Sequence, residues 1–282
     1  VNEAVEGVLA VVGLGPSTGP ASPGREATIA LALAPSAGAS RSGWRPVPVT
    51  PSQTDAPGVT AAVHAATSLR SVSAASPPPA GMPSPAPASG ELVALPTAAH
   101  VAPDWLPAIA RRRSVRRYAD TPLSLTVLAA VLSRMTTLPG PIYSRAVRID
   151  LLALAVAGLA PGAYRYLPDR HALARGPARP DLRAVARAAA LDQDVIGDAA
   201  AVFVLSIDRA SFAADPLGPA RGYRHAFLEA GMVGERVYLE AAARGLGACA
   251  VGAFYDAEAA SLVGGDPTRE WVVHFAALGV TA

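Results

Sequence analysis

Apolar positions fall into two regimes along this chain, and the second is far more structured than the first. From Asp104 onward, helical and strand-like spacings alternate. WLPAIARR, directly after Asp104, predicts a short helix. Ser124 predicts an N-cap, with Leu128, Val131, Leu132 and Met135 on one face of the helix that follows. Arg148 to Val156, RIDLLALAV, is an apolar run suited to a buried strand. Gly162 to Tyr166, GAYRY, alternates and meets Pro168 and Asp169, which predicts a strand entering a turn. Asp181 to Ala190 reads as an Ala-rich helix, and Ala201 to Ile207, AVFVLSI, as a central strand. Tyr223 to Arg244 is free of proline and rich in Ala, Leu and Glu, so it predicts the longest helix, with Gly231 and Gly234 permitting close packing. A strand over Ala248 to Phe254, a short helix opened by Asp256 and a last strand, WVVHFAALG, complete the series. Helices and strands mixed around one sheet make the expected class α+β.

The first hundred residues follow different rules. Between about residue 10 and residue 103 Pro, Ala and Ser dominate, reaching a peak in SVSAASPPPAGMPSPAPASG, Ser71 to Gly90. Residues 36–103 are therefore expected to be a semi-extended linker, with the globular part starting near Asp104. One echo stands out: Arg25-Glu26 and Arg269-Glu270 each join a helix-like stretch to an apolar, strand-like run. Residues 1–35 read either as Ala-rich coincidence or as the remnant of a preceding copy of the same domain.

Composition narrows the chemistry. The chain has 282 residues, 51% hydrophobic, 5% aromatic and 16% charged, which excludes a wholly disordered, highly charged protein. A net charge of +2, evenly spread, predicts no nucleic-acid partner. All 24 basic residues are arginines, which removes Schiff-base chemistry and the lysine-bearing phosphate loop. Cys249 has no partner for an internal disulfide, and one Cys with five His makes no zinc site. No apolar run reaches the ~20 residues that a membrane span needs. The expectation is a soluble chain in a reducing cytoplasm; its start at Val1 leaves a fragment or a processed form open.

Two segments carry most of the candidate chemistry. RRRSVRRY, Arg111 to Tyr118, clusters guanidiniums around a hydroxyl, which suits a phosphate because arginine stays charged and binds bidentately; the alternative is a solvated basic turn. GLGACAVGAF, Gly245 to Phe254, is rich in small residues that would let a flat ligand approach the backbone, or is simply a helix-to-strand turn. Glu229 and Glu235 are expected at the helix surface or in ion pairs. His225 and His274 have no neighbouring carboxylate at suggestive spacing and are expected to be structural, and Cys249 a small core residue.

In this order and separation, RRRSVRRY and YRHAFLEAGMVGERVYLEAAARGLGACAVGAFYD resemble the nitroreductase superfamily, and in particular its SagB-type dehydrogenase branch, which includes azoline oxidases. GLAPGAYRYLPDRHAL is similar to the Gly-x-Tyr-x-Tyr hairpin of that branch. VHAATS, Val63 to Ser68, more loosely resembles its upstream His-containing segment. The resemblance covers about residues 104–282. It implies a mixed or antiparallel central sheet flanked by helices, a long central helix and an intertwined homodimer with FMN at the subunit interface. Arg112, Arg113, Ser114 and Arg116 match the positions that hold the FMN phosphate and ribityl chain. Ala250, Val251 and Gly252 match the strand end against the isoalloxazine, where backbone N–H groups steady the reduced flavin. Arg221 and Tyr223, with Arg224, would face the flavin cavity as substrate contacts, or else form a surface cluster at the helix start.

The chain departs from that branch at three places. Leu217 and Gly218 stand where azoline oxidases carry a catalytic Lys-Tyr pair. LPGPIY, Leu138 to Tyr143, replaces the Pro-Ser-x-Gly loop, although PSAG occurs at Pro35 to Gly38. The chain ends in GVTA where relatives commonly carry a basic residue. Three functions therefore compete: an FMN-dependent oxidoreductase acting on a peptide-derived or small heterocyclic substrate; a degenerate scaffold subunit of a peptide-modifying complex; and a generic NAD(P)H-dependent nitro or quinone reductase.

Overall fold

The computed structural model describes residues 91–97, 105–136, 146–215 and 218–282. The 1–35 repeat reading, PSAG, VHAATS, LPGPIY and Leu217 all lie outside these residues. Among the described residues, nine strands appear: β1 (Leu92–Ala94), β2 (Leu123–Ser124), β3 (Val147–Ala153), β4 (Val156–Ala157), β5 (Gly162–Leu167), β6 (Ala172–Arg175), β7 (Ala201–Asp208), β8 (Leu246–Val251) and β9 (Glu270–Val280). The helices are α1 (Trp105–Arg111), α2 (Leu125–Met135), α3 (Leu182–Ala189), α4 (Asp194–Gly197), α5 (Arg209–Ala213), α6 (Pro219–Ala243) and α7 (Asp256–Leu262).

Seven strands form one sheet in the order β1-β6-β5-β3-β7-β9-β8, every neighbour antiparallel. β2 and β4 pair in parallel beside it. AVFVLSI is unbroken because β7 sits in the middle of the sheet, buried on both faces along its whole length. Against one face pack Leu128, Leu132 and Met135 of α2 with Val233, Val237 and Ala241 of α6. Against the other pack Leu182 and Ala186 of α3, Ile196 of α4 and Leu262 of α7, around Val202, Val204 and Phe275. The α+β expectation holds, with the long helix across one face.

Element boundaries shift for local reasons. The predicted run over 148–156 is broken, because the Leu154 and Ala155 N–H groups leave the ladder for the Ala200 carbonyl at 3.0 and 2.8 Å. The long helix begins earlier than its apolar pattern, at Pro219, where a proline in the first turn forfeits no helical hydrogen bond. Ser124 occupies the N-cap of α2 without a side-chain cap bond. The linker reading also needs correction at its end: Leu92–Ala94 lies within residues 36–103, yet it adds an edge strand to β6. β6 was not read from its own pattern, since a four-residue strand is too short for its alternation to stand out, although the hairpin resemblance over GLAPGAYRYLPDRHAL implied a partner for β5 there.

β9 carries an irregularity that matters later. Leu205 of β7 faces His274, but Ser206 faces Val272, so Val273 is an extra residue in the ladder. His274 thereby points at α6, where the Cβ of any larger residue at Gly234 would stand 2.7 Å from its Nε2. Gly231, in contrast, has open space beside it.

Candidate functional site

β8 is the outer strand of the sheet, and RRRSVRRY runs along its free edge. Ser114 forms a parallel bridge with Ala248, and the Val115 N–H donates to the Ala248 carbonyl at 2.9 Å. Gly247 makes the approach possible, since a Cβ there would lie 2.7 Å from the Val115 side chain. Tyr118 closes the far end: it bridges Thr281 and its hydroxyl donates to the Val115 carbonyl at 2.9 Å. Burial, with Cys249 close by, pushes the Tyr118 pKa far above the ordinary phenol range, so it stays a neutral donor.

Tyr238 of α6 ties the two segments together. Its hydroxyl oxygen accepts the Ala250 N–H at 2.6 Å and lies 3.1 Å from Ser114 Oγ. The Arg112 guanidinium stacks over the Tyr238 ring, 4.8 Å from its centroid, and pairs at 3.8 Å with Glu235. Arg112 and Ser114 are thus half-buried and engaged, while Arg113 and Arg116 are exposed. Arg113 donates to the Ala110 and Arg112 carbonyls at 3.1 and 2.8 Å, closing the turn after α1. Tyr238 was missed in the sequence, where an aromatic on the apolar face of a helix reads as core. Its place in the block that carried the family resemblance was the available signal.

The expectation that the Ala250 to Gly252 amides face a ligand needs correction at two of its three positions. The Ala250 N–H is taken by Tyr238, and strand alternation turns the Val251 N–H toward β9. Gly252 lies on the outward row, exposed, with nothing within 4 Å of the place a Cβ would occupy.

Arg221 and Tyr223 lie elsewhere. They belong to the first turns of α6, fifteen residues before Tyr238 at the nearer, or roughly 22 Å at 1.5 Å per residue. Arg221 Nε donates to His225 Nε2 at 3.1 Å, and His225 Nδ1 lies 2.7 Å from Asp215 Oδ2. Because the guanidinium only donates, Nε2 accepts, and the ring proton sits on Nδ1 facing the carboxylate. The reading of His225 as lacking a carboxylate is therefore wrong: Asp215 is ten residues away, and the close approach of α5 to α6 at Gly222 brings it in. Tyr223 packs into an aromatic cluster with Phe212, Phe227 and Trp271, its ring 4.6 Å from that of Phe227. Glu229 is buried, contrary to the surface expectation, and Glu235 is exposed in its pair with Arg112. Cys249 is a buried free thiol, as read.

Other features offer less. A cavity of 170 Å³ beside β5 and β6, bounded by Pro161, Arg175, Pro177 and Arg179, falls below the roughly 300 Å³ of ordinary ligand pockets. Among the described residues no group of His, Cys, Asp and Glu could hold a metal, and no helix is long and apolar enough to cross a membrane.

The family model described as the nitroreductase family matches residues 109–280, which takes in the Ser114 turn, the whole of α6 and the edge strand β8. This chain belongs to the nitroreductase family. The nitroreductase-like protein MJ1384 of Methanocaldococcus jannaschii is 32% identical over 157 residues, 52% of this chain and 78% of that one. A nitroreductase-type structure from Anabaena variabilis superposes with a TM-score of 0.62 at 25% identity; it covers 68% of this chain, which spans only 42% of that protein. A second, from Ralstonia eutropha, gives 0.57 at 23% identity over 74% of this nitroreductase and 98% of its own length. The Escherichia coli microcin synthetase McbBCD complex, with truncated pro-MccB17 bound, shares the fold at a TM-score of 0.52 and 17% identity.

Proposed function

We propose that this nitroreductase is an FMN-dependent oxidoreductase whose flavin is anchored by the 113–116 turn and seated against the end of β8. One observation carries the reading: the Tyr238 hydroxyl joins Ser114 to the Ala250 amide, so a cationic turn and a small-residue strand end form one rigid unit. The residues present fit the cofactor. Arg113 and Arg116 are exposed guanidiniums on the same short segment as Ser114, suited to a phosphate through charge-assisted bonds. Gly252 adds an outward amide next to open space, where a flat ring can lie without meeting a side chain. Bound there, the flavin supplies hydride transfer, and NAD(P)H is the proposed donor.

The finer reading is SagB-type chemistry on a peptide-derived or small heterocyclic substrate. It rests on the resemblance of α6 and of the Gly162 to Tyr166 strand. The chain works as a homodimer in this proposal: Phe227, Gly231 and Glu235, four residues apart, form an exposed line along α6 with a large apolar side chain in it, a surface suited to a second copy. Arg221 and Tyr223, distant from Tyr238 in one protomer, would then serve the flavin of the partner subunit.

The test is direct. The purified protein, or the apoprotein given FMN, is expected to be yellow with the visible absorbance of bound flavin and to oxidise NADPH with a nitroaromatic acceptor. Arg113→Ala with Arg116→Ala is expected to weaken FMN binding by tenfold or more, about what losing one charged hydrogen bond implies. A folded protein that takes up no FMN overturns the proposal.

A further inference from the structure

Trp105, the first residue of α1, is flanked by two guanidiniums. Arg236 Cζ of α6 lies 5.0 Å from its ring centroid and Arg134 Cζ of α2 lies 5.7 Å away. Beside them Glu240 of α6 is wholly buried and pairs with Arg134, at 3.3 Å, and with Arg244. Those two arginines satisfy the carboxylate. No carboxylate among the described residues lies within ion-pair distance of Arg236. Arg112 and Glu235 pair with each other and leave that balance unchanged.

Two guanidiniums therefore meet Glu240, and Arg236, one turn before it on α6, shares the Trp105 ring with Arg134 without a carboxylate of its own. Burial works against the charge of Arg236, Glu240 opposes that effect and Arg134 adds to it. A half-buried cation in that position can be neutralised by an anion, and an arginine held over an indole keeps its remaining N–H groups free to grip one. We propose that Arg236, with the outer nitrogens of Arg134 beside the same indole, forms a binding site for a small oxyanion of the phosphate or carboxylate type, distinct from the turn proposed to hold the flavin phosphate. Trp105 orients the Arg236 fork, and Glu240 fixes Arg134 through its Nε from the buried side.

The test uses calorimetric titration of the full chain with inorganic phosphate and, separately, with acetate, each at low and at high ionic strength. Phosphate or acetate is expected to bind, more weakly at high salt. Arg236→Gln is expected to reduce that affinity about tenfold or more, as the loss of one charge-assisted contact implies. Arg236→Lys keeps the charge and the packing but loses the fork, so an intermediate loss is expected; it also serves if Arg236→Gln fails to fold. The double variant Arg113→Ala with Arg116→Ala is expected to keep this binding, while Arg236→Gln keeps FMN uptake, which separates the two proposals. Binding that survives unchanged in both Arg236 variants, that vanishes in the Arg113/Arg116 variant, or that is absent for both anions, overturns the site.

Discussion

Tyr238 receives the Ala250 N–H on its hydroxyl oxygen at 2.6 Å, a contact between the C-terminal part of the long helix and the free edge of the sheet. Most of the candidate site follows from that bond. It closes the outward amide row of β8 at one position and leaves the next, at Gly252, facing out. It also holds Ser114 at a fixed distance from the strand.

Replacing Tyr238 by Phe removes both polar contacts and strands the Ala250 amide. The expected loss of stability is about 1–3 kcal/mol, the usual cost of a buried unsatisfied group, measured as a shift of the urea midpoint at unchanged slope. A midpoint identical to that of the parent would show that water replaces the phenol at no cost.

Phe203 lies at the centre of β7 with none of its surface exposed. Truncation to Ala is expected to cost about 3–5 kcal/mol, because the sheet and α6 cannot close over the void. Val185, 39% exposed on α3, is the control, expected to change by less than about 0.5 kcal/mol on truncation.

Gly234→Ala is expected to destabilise by about 1–3 kcal/mol through overpacking against the His274 ring. Combining it with His274→Ala should cost less than the two single changes added together. A double-mutant cycle reads the coupling directly, and strict additivity would mean the two sites do not meet.

The same histidine gives a pH dependence with a defined sign. Burial lowers the His274 pKa, and its Nε2 has no hydrogen-bond partner among the described residues. The unfolded chain therefore binds a proton near the ordinary histidine value of about 6.5, while the folded chain does not. The stabilising contribution is fully present above that pH and is lost as the pH falls below it. Denaturation midpoints at about pH 7.5 and about pH 5.5 should differ more for the parent than for His274→Met, and an equal difference in both would rule this out.

Asp215 holds the Nδ1 side of a histidine that is otherwise buried. Asp215→Ala is expected to cost about 1–3 kcal/mol for leaving that donor unpaired, and Asp215→Asn, which can still accept, should recover part of it. Thermal melts of the three proteins provide the comparison.

Elements with a long, unmixed pattern were legible in the sequence. The AVFVLSI run and the proline-free stretch around Glu229 each state one environment over two or more turns or a full strand, so β7 and α6 were found. Short edge pieces were not. Leu92–Ala94 and Ala172–Arg175 are three- and four-residue strands whose pairing is decided by each other and by β5, not by local pattern. The site divides in the same way. Arg113, Ser114 and Gly252 were visible as residue types suited to a phosphate and a flat ring. Tyr238, Asp215 and Glu240 were not, because each acts through a partner in another element that spacing along the chain does not reveal.

The extra residue in β9 explains why WVVHFAALG never alternates cleanly. Trp271 and Val273 face the aromatic end of α6, and His274, directly after Val273, also faces that helix, so the apolar rhythm of the strand slips by one at that point. The two halves of β9 are in effect two strands of opposite phase spliced end to end. Deleting Val273 would bring them into step, with Trp271 still on the α6 side and Phe275 still on the other, and would remove only the Val273 contact at the aromatic end of that helix.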